Sequence, residues 1–134
     1  MRVTSILIAG VILIVLFFVF QGGLGGSGGG KSFQNISPKE AKERMDKEPG
    51  IILLDVRTVP EHEALHIPGS LLIPLHILEK EAPTKIPDKD AVIFVYCRSG
   101  NRSVDAARIL VRLGYTQIYN LGGIIDWPYE TQSS

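Results

Sequence analysis

Eighteen consecutive residues, Val3 to Phe20, carry no charge and only two polar side chains, Thr4 and Ser5. As a helix the run spans about 27 Å at ~1.5 Å per residue, close to the hydrocarbon thickness of a bilayer. Buried in a soluble core it would need protein on every side, and the rest of the chain is too short to supply that and fold as well. The run ends in Leu16-Phe17-Phe18-Val19-Phe20 with no Ala-x-Ala pattern after it, and no cysteine follows for lipid attachment. Residues 1–20 therefore read as a transmembrane signal anchor that is retained, with a cleaved secretory signal as the competing reading. Arg2 and the terminal amine precede the span, and Lys31 and Lys39 follow it. The positive-inside tendency leans toward a cytoplasmic N-terminus and an extracytoplasmic domain, periplasmic or at the cell surface, by a margin of one or two charges.

Residues 21–30 read QGGLGGSGGG and hold seven of the chain's 14 glycines. Such a segment has high backbone entropy and nothing to bury, so it is a flexible linker with a mean reach of roughly 15–20 Å. It marks a boundary, and residues 31–134 form the folded domain. Of the 14 basic residues only Arg2 precedes this domain, which carries all 14 acidic ones. A formal charge near zero leaves no surplus to neutralise phosphates, which argues against nucleic acid as a partner. One cysteine excludes an internal disulfide and a Cys-rich zinc site.

Along the domain, Ser37-Pro38-Lys39-Glu40 is a helix start, and the helix is predicted to end near Pro49-Gly50. Ile51 to Val56 is apolar except for Asp55 and reads as a strand buried on both faces. A short helix over Pro60–Ala64 and a short strand over Ser70–Ile73 follow. A further helix runs from Leu75 to about Ala82, bounded by Pro74 and Pro83. AVIFVY, residues 91–96, is the second buried strand. Helical spacing returns from Ser103, with Val104, Ala107, Leu110, Val111 and Leu113 on one face. Thr116–Leu121 reads as a strand, before a last short helix holding Trp127. Apolar strands alternating with helices imply an α/β fold, a central parallel sheet flanked by helices on both faces.

Ligands of open parallel sheets bind beyond the carboxyl ends of the strands. Cys97 stands there, followed by Arg98-Ser99-Gly100-Asn101-Arg102-Ser103 and a helix. Three effects favour a thiolate: the free amides and partial positive charge of a helix start, the charges of Arg98 and Arg102, and a backbone free to curl at Gly100. The thiolate is the nucleophilic form of cysteine, so Cys97 is the candidate catalytic nucleophile and residues 98–103 the candidate substrate-binding loop. The bland alternative is a buried structural cysteine, which two arginines in the adjoining loop make a poor fit. Asp55 and Arg57 reach the same sheet edge and are expected to support the loops rather than react. His62 and His76 read as surface residues, and Trp127 as core packing.

The loop CRSGNRS resembles the active-site loop of single-domain rhodaneses, thiosulfate and persulfide sulfurtransferases. The resemblance extends over residues 33–129. Phe33 to Ser37 is similar to the family's opening FxxIS. Leu53-Leu54-Asp55-Val56-Arg57, Glu61-His62 and His66-Ile67-Pro68-Gly69-Ser70 are similar to its LIDVRxxxEYxxGHIPGA segment. Leu121-Gly122-Gly123 through Trp127 is similar to its closing LxGGxxxW. Leu65 departs from a usual glycine, and His62 from a common aromatic.

The resemblance implies a rhodanese-like fold and a two-step sulfur transfer through a Cys97 persulfide. The donor would be a small anion such as thiosulfate or a persulfide, with Arg98 and Arg102 binding it. The acceptor would be cyanide or a thiol, and no metal or organic cofactor would be needed. It implies a structural place for His66. A non-turnover sulfur carrier or binding module is the main alternative. A rhodanese-fold phosphatase or arsenate reductase fits less well, because that chemistry uses Cys-x5-Arg around a tetrahedral oxyanion, whereas Cys97 and Arg102 give Cys-x4-Arg.

Overall fold

The computed structural model describes residues 32–134. The expected anchor, residues 1–20, and linker, residues 21–30, lie outside the described residues. Among the described residues no helix is long and apolar enough to cross a membrane.

The chain order is β1 (Gln34–Asn35), α1 (Pro38–Lys47), β2 (Ile52–Asp55), α2 (Val59–Ala64), β3 (Leu71–Leu72), α3 (Leu75–Lys85), β4 (Val92–Cys97), α4 (Asn101–Arg112) and β5 (Gln117–Gly123), with a 3-10 turn at Ile124–Asp126. The five strands form one sheet in the order β1-β5-β4-β2-β3. Each neighbouring pair is parallel. Alternation along the central strands sorts side chains into two layers, as the period of two requires. Leu54, Ile93, Val95 and Cys97 point to one face and pack with Leu78 and Ala82 of α3 and Ala106, Ala107 and Leu110 of α4. Leu53, Phe94 and Tyr96 point to the other and pack with Ala41 of α1, Ile124 and Trp127. Helices therefore cover both faces, the arrangement that unbroken apolar strands imply.

Local signals act largely as read. The Ser37 hydroxyl accepts from the Glu40 amide at 3.2 Å, capping α1. Several elements differ from expectation, among them β5, which runs on to Gly123, and the last turn, which ends at Asp126 with Trp127 outside it. Helix α3 runs through Pro83 to Lys85 instead of stopping before it. Proline disfavours helical backbone in the preceding residue. Here that residue is Ala82, fully buried, and Ile86 is almost so; seating both in the core outweighs the local preference. Helix α4 begins at Asn101, two residues early, and its buried face is Ser103, Ala106, Ala107, Leu110 and Val111, with Val104 to one side. Strand β1 was unforeseen: it is two exposed polar residues joined to β5 at Gln34–Tyr119 and Asn35–Asn120. It has no apolar periodicity to betray it.

The register between β4 and β5 slips once, between Val95 and Tyr96, so that Tyr96 lies opposite Gly122 and Cys97 opposite Gly123. Cys97 is thus the last residue of β4, not the first beyond it. Gly123 is where the loop after Cys97 crosses β5. A Cβ there would overlap the Arg98 carbonyl oxygen and lie 2.7 Å from Ser99 Cα. Both are backbone and neither can swing aside. Gly123→Ala is expected to displace the 98–100 backbone and destabilise the domain by about 1–3 kcal/mol, read as a lowered urea midpoint. An unchanged midpoint would show that the loop does not rest on this close approach.

Candidate active site

The strand-to-helix junction after β4 is shaped by one backbone feature. Gly100 adopts φ 108° at the start of α4, a left-handed conformation that only glycine adopts readily. The turn brings the Gly100 amide to 3.0 Å from Cys97 Sγ, where it donates to the sulfur. The Ser103 hydroxyl donates to the Gly100 carbonyl at 2.9 Å, tying the turn to the first turn of α4. The Ile125 amide donates to the Arg98 carbonyl at 3.2 Å, holding the other flank. Cys97 is 1% exposed and Ser103 fully buried. Arg98, Ser99 and Asn101 are exposed, and Gly100 and Arg102 are half-buried.

The two loop arginines differ. Arg102 makes a two-pronged ion pair with Glu61 of α2, at 2.8 and 2.9 Å. Arg98 makes no ion pair among the described residues. Of the two loop charges expected, that of Arg98 thus meets no carboxylate among the described residues, while the Arg102 charge is met by Glu61. Hydrogen bonding to Arg102 is the main reason the Glu61 carboxyl sits at about 2 rather than 4.5. Glu61 also closes a capping box: its amide donates to the Thr58 hydroxyl at 3.4 Å, and its carboxylate accepts from the Thr58 amide at 3.3 Å. One side chain thus caps α2 and pins α4 across the sheet edge.

Asp55, fully buried at the end of β2, forms the second hub. It accepts from the Arg57 amide at 2.9 Å and from the Arg57 guanidinium at 2.8 Å. It also accepts from His62 Nδ1 at 2.8 Å and from the Tyr96 hydroxyl at 3.2 Å. Arg57, itself 4% exposed, donates onward to the Leu65 carbonyl at 2.6 Å. Burial pushes the Tyr96 hydroxyl up to about 12, so it stays protonated and able to donate. Among the described residues no buried side-chain polar atom lacks a partner.

The surface reading of His62 is corrected. Its side chain is 14% exposed, bonds Asp55, and stacks on His66 with ring centroids 4.0 Å apart. Stacking suits the common aromatic at this position, and the ring nitrogen adds a donor that an aromatic hydrocarbon lacks. His66 has both nitrogens engaged, Nδ1 donating to the His62 carbonyl at 2.8 Å and Nε2 taking a hydrogen bond from the Gln132 amide at 3.1 Å. Both ring nitrogens thus meet protein partners. His76 is exposed, and Trp127 is buried in the core as expected. Leu65 is in extended backbone, φ −162°, so its departure from glycine strains nothing. Glu61, Tyr96 and Gly123 were missed as supports of the site. Only Glu61 had a legible signal, its spacing of three from Thr58.

Two measurements probe these hubs. Asp55→Ala leaves the Arg57 guanidinium buried without a counter-charge and is expected to cost about 3–5 kcal/mol, read by urea denaturation; a loss below ~1 kcal/mol would mean the pair is idle. Glu61 is held below its ordinary value, so its contribution is complete above pH 4.5 and is lost as pH falls toward about 2. Glu61→Gln is expected to flatten the fall of stability across that window. Parallel pH–stability curves for the variant and the parent would remove the ion pair from the account.

Residues 37–129 match the rhodanese-like domain family. The chain is similar to the thiosulfate sulfurtransferase PspE of Escherichia coli, 37% identical over 73 residues, 54% of this chain and 70% of that protein. It is similar to a sulfurtransferase of Allochromatium vinosum, 37% identical over 93 residues, 69% of this chain and 85% of that protein. It is also 35% identical over 120 residues to YrkF of Bacillus subtilis, named as a candidate sulfur carrier, covering 89% of this chain and 64% of that longer protein. Among solved structures it resembles a rhodanese with anions from E. coli, with TM-score 0.60 and 32% identity over 63% of this chain and 99% of that one.

Proposed function

Because the chain belongs to the rhodanese-like domain family, we infer that it is a sulfurtransferase that moves a sulfane sulfur from thiosulfate or a persulfide to cyanide or a thiol through a Cys97 persulfide. The observation that carries this reading is the Gly100 amide aimed at Cys97 Sγ from 3.0 Å, a donor placed where negative charge rests on sulfur both before and after transfer. In the first step the Cys97 thiolate bonds to the donor's outer sulfur. For thiosulfate the bond between that sulfur and the sulfite group breaks, and sulfite leaves with the electron pair. In the second step cyanide or a thiolate bonds to the sulfane sulfur, and the electron pair of the broken S–S bond returns to Cys97 Sγ. Arg98 offers a charge to the anionic donor, and residues 98–103 form its binding loop. Arg102 acts chiefly through Glu61 to hold that loop against α2. Asp55 and Arg57 position the backbone and do not touch the reacting sulfur. The burial of Cys97 favours the narrow tip of a sulfane donor over a tetrahedral oxyanion.

Residues 3–20 would hold this domain at a membrane, with residues 21–30 as tether and the domain on the extracytoplasmic side. Protease accessibility of the domain in intact cells tests that orientation.

Thiosulfate and cyanide supplied to the full chain are expected to yield thiocyanate, and Cys97→Ser is expected to abolish it while leaving the thermal midpoint within a few degrees. Thiosulfate alone is expected to add about 32 Da, one sulfur atom, at Cys97. Adduct without thiocyanate would favour the carrier reading. Neither adduct nor thiocyanate, across several donors, would leave a binding module.

A further inference from the structure

On the face of the sheet away from Cys97, a cleft of about 190 Å³ lies between α1 and the segment after the 3-10 turn. Drug-sized ligands take ~300–1,000 Å³, so this cleft suits a small group. Its apolar walls include Met45, Pro68, Trp127 and Tyr129. The two rings meet at 73° with centroids 5.0 Å apart, forming a corner. The Trp127 indole N–H donates to the Glu130 carbonyl at 3.2 Å, so its polar edge is engaged and its π surface remains for a ligand. Tyr129 stands beside it, 37% exposed. The wall is held from behind, since Ile67, which also lines the cleft, donates its amide to the Tyr96 hydroxyl at 3.2 Å. The charges at the cleft are Lys42, Asp46 and Glu130. Lys42 meets the two Asp46 oxygens at 2.6 and 2.7 Å, and that pair cancels. Glu130 makes no ion pair among the described residues, which leaves the cleft one carboxylate.

An aromatic corner with one unneutralised carboxylate favours a cation, because the face of a ring is the negative side of its quadrupole. The same walls select the kind of cation. A primary ammonium or a metal ion holds its water tightly, and apolar walls with one carboxylate cannot replace that water. A trimethylammonium group spreads its charge over methyl surface, has no N–H to satisfy, and is small enough for the cleft. We propose that this cleft binds a trimethylammonium group, seated on Trp127 and Tyr129 with Glu130 as its counter-charge. The site is independent of the sulfur chemistry: none of its lining residues belongs to the cysteine loop, and its occupancy is read without turnover.

Trp127 is the chain's one tryptophan, so its emission reads this cleft. Choline chloride titrated into the full chain is expected to change that emission saturably, against sodium chloride at equal ionic strength. Its uncharged isostere dimethylbutanol, with carbon in place of nitrogen, is expected to bind about five- to thirtyfold more weakly. Tyr129→Leu is expected to bring choline down to the level of the isostere, and Tyr129→Phe to preserve the difference. Glu130→Gln is expected to weaken choline about two- to fivefold, and Lys42→Ala, which frees Asp46, to tighten it. Vesicles separate two sources of the group. A Tyr129-dependent emission change with phosphatidylcholine but not phosphatidylglycerol assigns it to a lipid headgroup, and a response to free choline alone assigns it to a solute. Equal affinity for choline and dimethylbutanol overturns the proposal, as does emission that neither choline nor phosphatidylcholine changes.

Discussion

A carboxylate with no exposed surface is the constraint on which the site depends. Asp55 could not remain charged at the end of β2 without partners, and its partners come from four places: its own turn through the Arg57 amide, the Arg57 side chain, α2 through His62, and β4 through Tyr96. Satisfying one buried charge therefore fixes the relative positions of β2, β4 and the segment that carries α2. Tyr96 extends the same network, receiving the Ile67 amide at 3.2 Å and meeting the Ser70 hydroxyl at 3.0 Å. The residue after Tyr96 is Cys97. Cys97 thus sits one peptide from an anchored side chain, and on the opposite face of the sheet from it.

The chemistry and its support occupy the two sides of one strand end. Tyr96 points into the polar network and Cys97 toward the start of α4, because successive residues of a strand face opposite ways. This division leaves Asp55 bonded to Arg57, His62 and Tyr96, apart from the cysteine loop, with the Arg57 charge met by Asp55. The Glu61–Arg102 pair spans the gap between them, so the loop is braced from α2.

What was legible in the sequence follows the range over which each signal acts. The buried strands announced themselves because both faces are apolar, and the cysteine loop because its charges and glycine are contiguous. Strand β1 stayed hidden because it is held by ladder hydrogen bonds to β5 and one Asn120–Asn35 side-chain bond, and polar residues at an edge leave no pattern. Helix α3 continued past Pro83 because burial of Ala82 and Ile86 is a tertiary gain that no local rule contains. His62 was misread for the same reason. Its neighbours in the chain are polar and solvated, while the carboxylate and the imidazole that enclose it come from β2 and from the next turn of chain. Glu61 and Arg102 meet across the sheet edge, a distance in sequence at which spacing carries no information.

The slip between Val95 and Tyr96 makes the seat of the loop a matter of counting. An unslipped ladder would set Gly122 opposite Cys97; β5 contributes one residue more than β4 over the last stretch, and Gly123 lies there instead. Chain length between Leu121 and Ile124 is constrained, because a shift of the ladder that put Ile124 opposite Cys97 would bring a side chain under Arg98 and Ser99, where there is room only for hydrogen. The site is in this sense written as an interval, and insertions or deletions in β5 are a greater hazard to it than most substitutions.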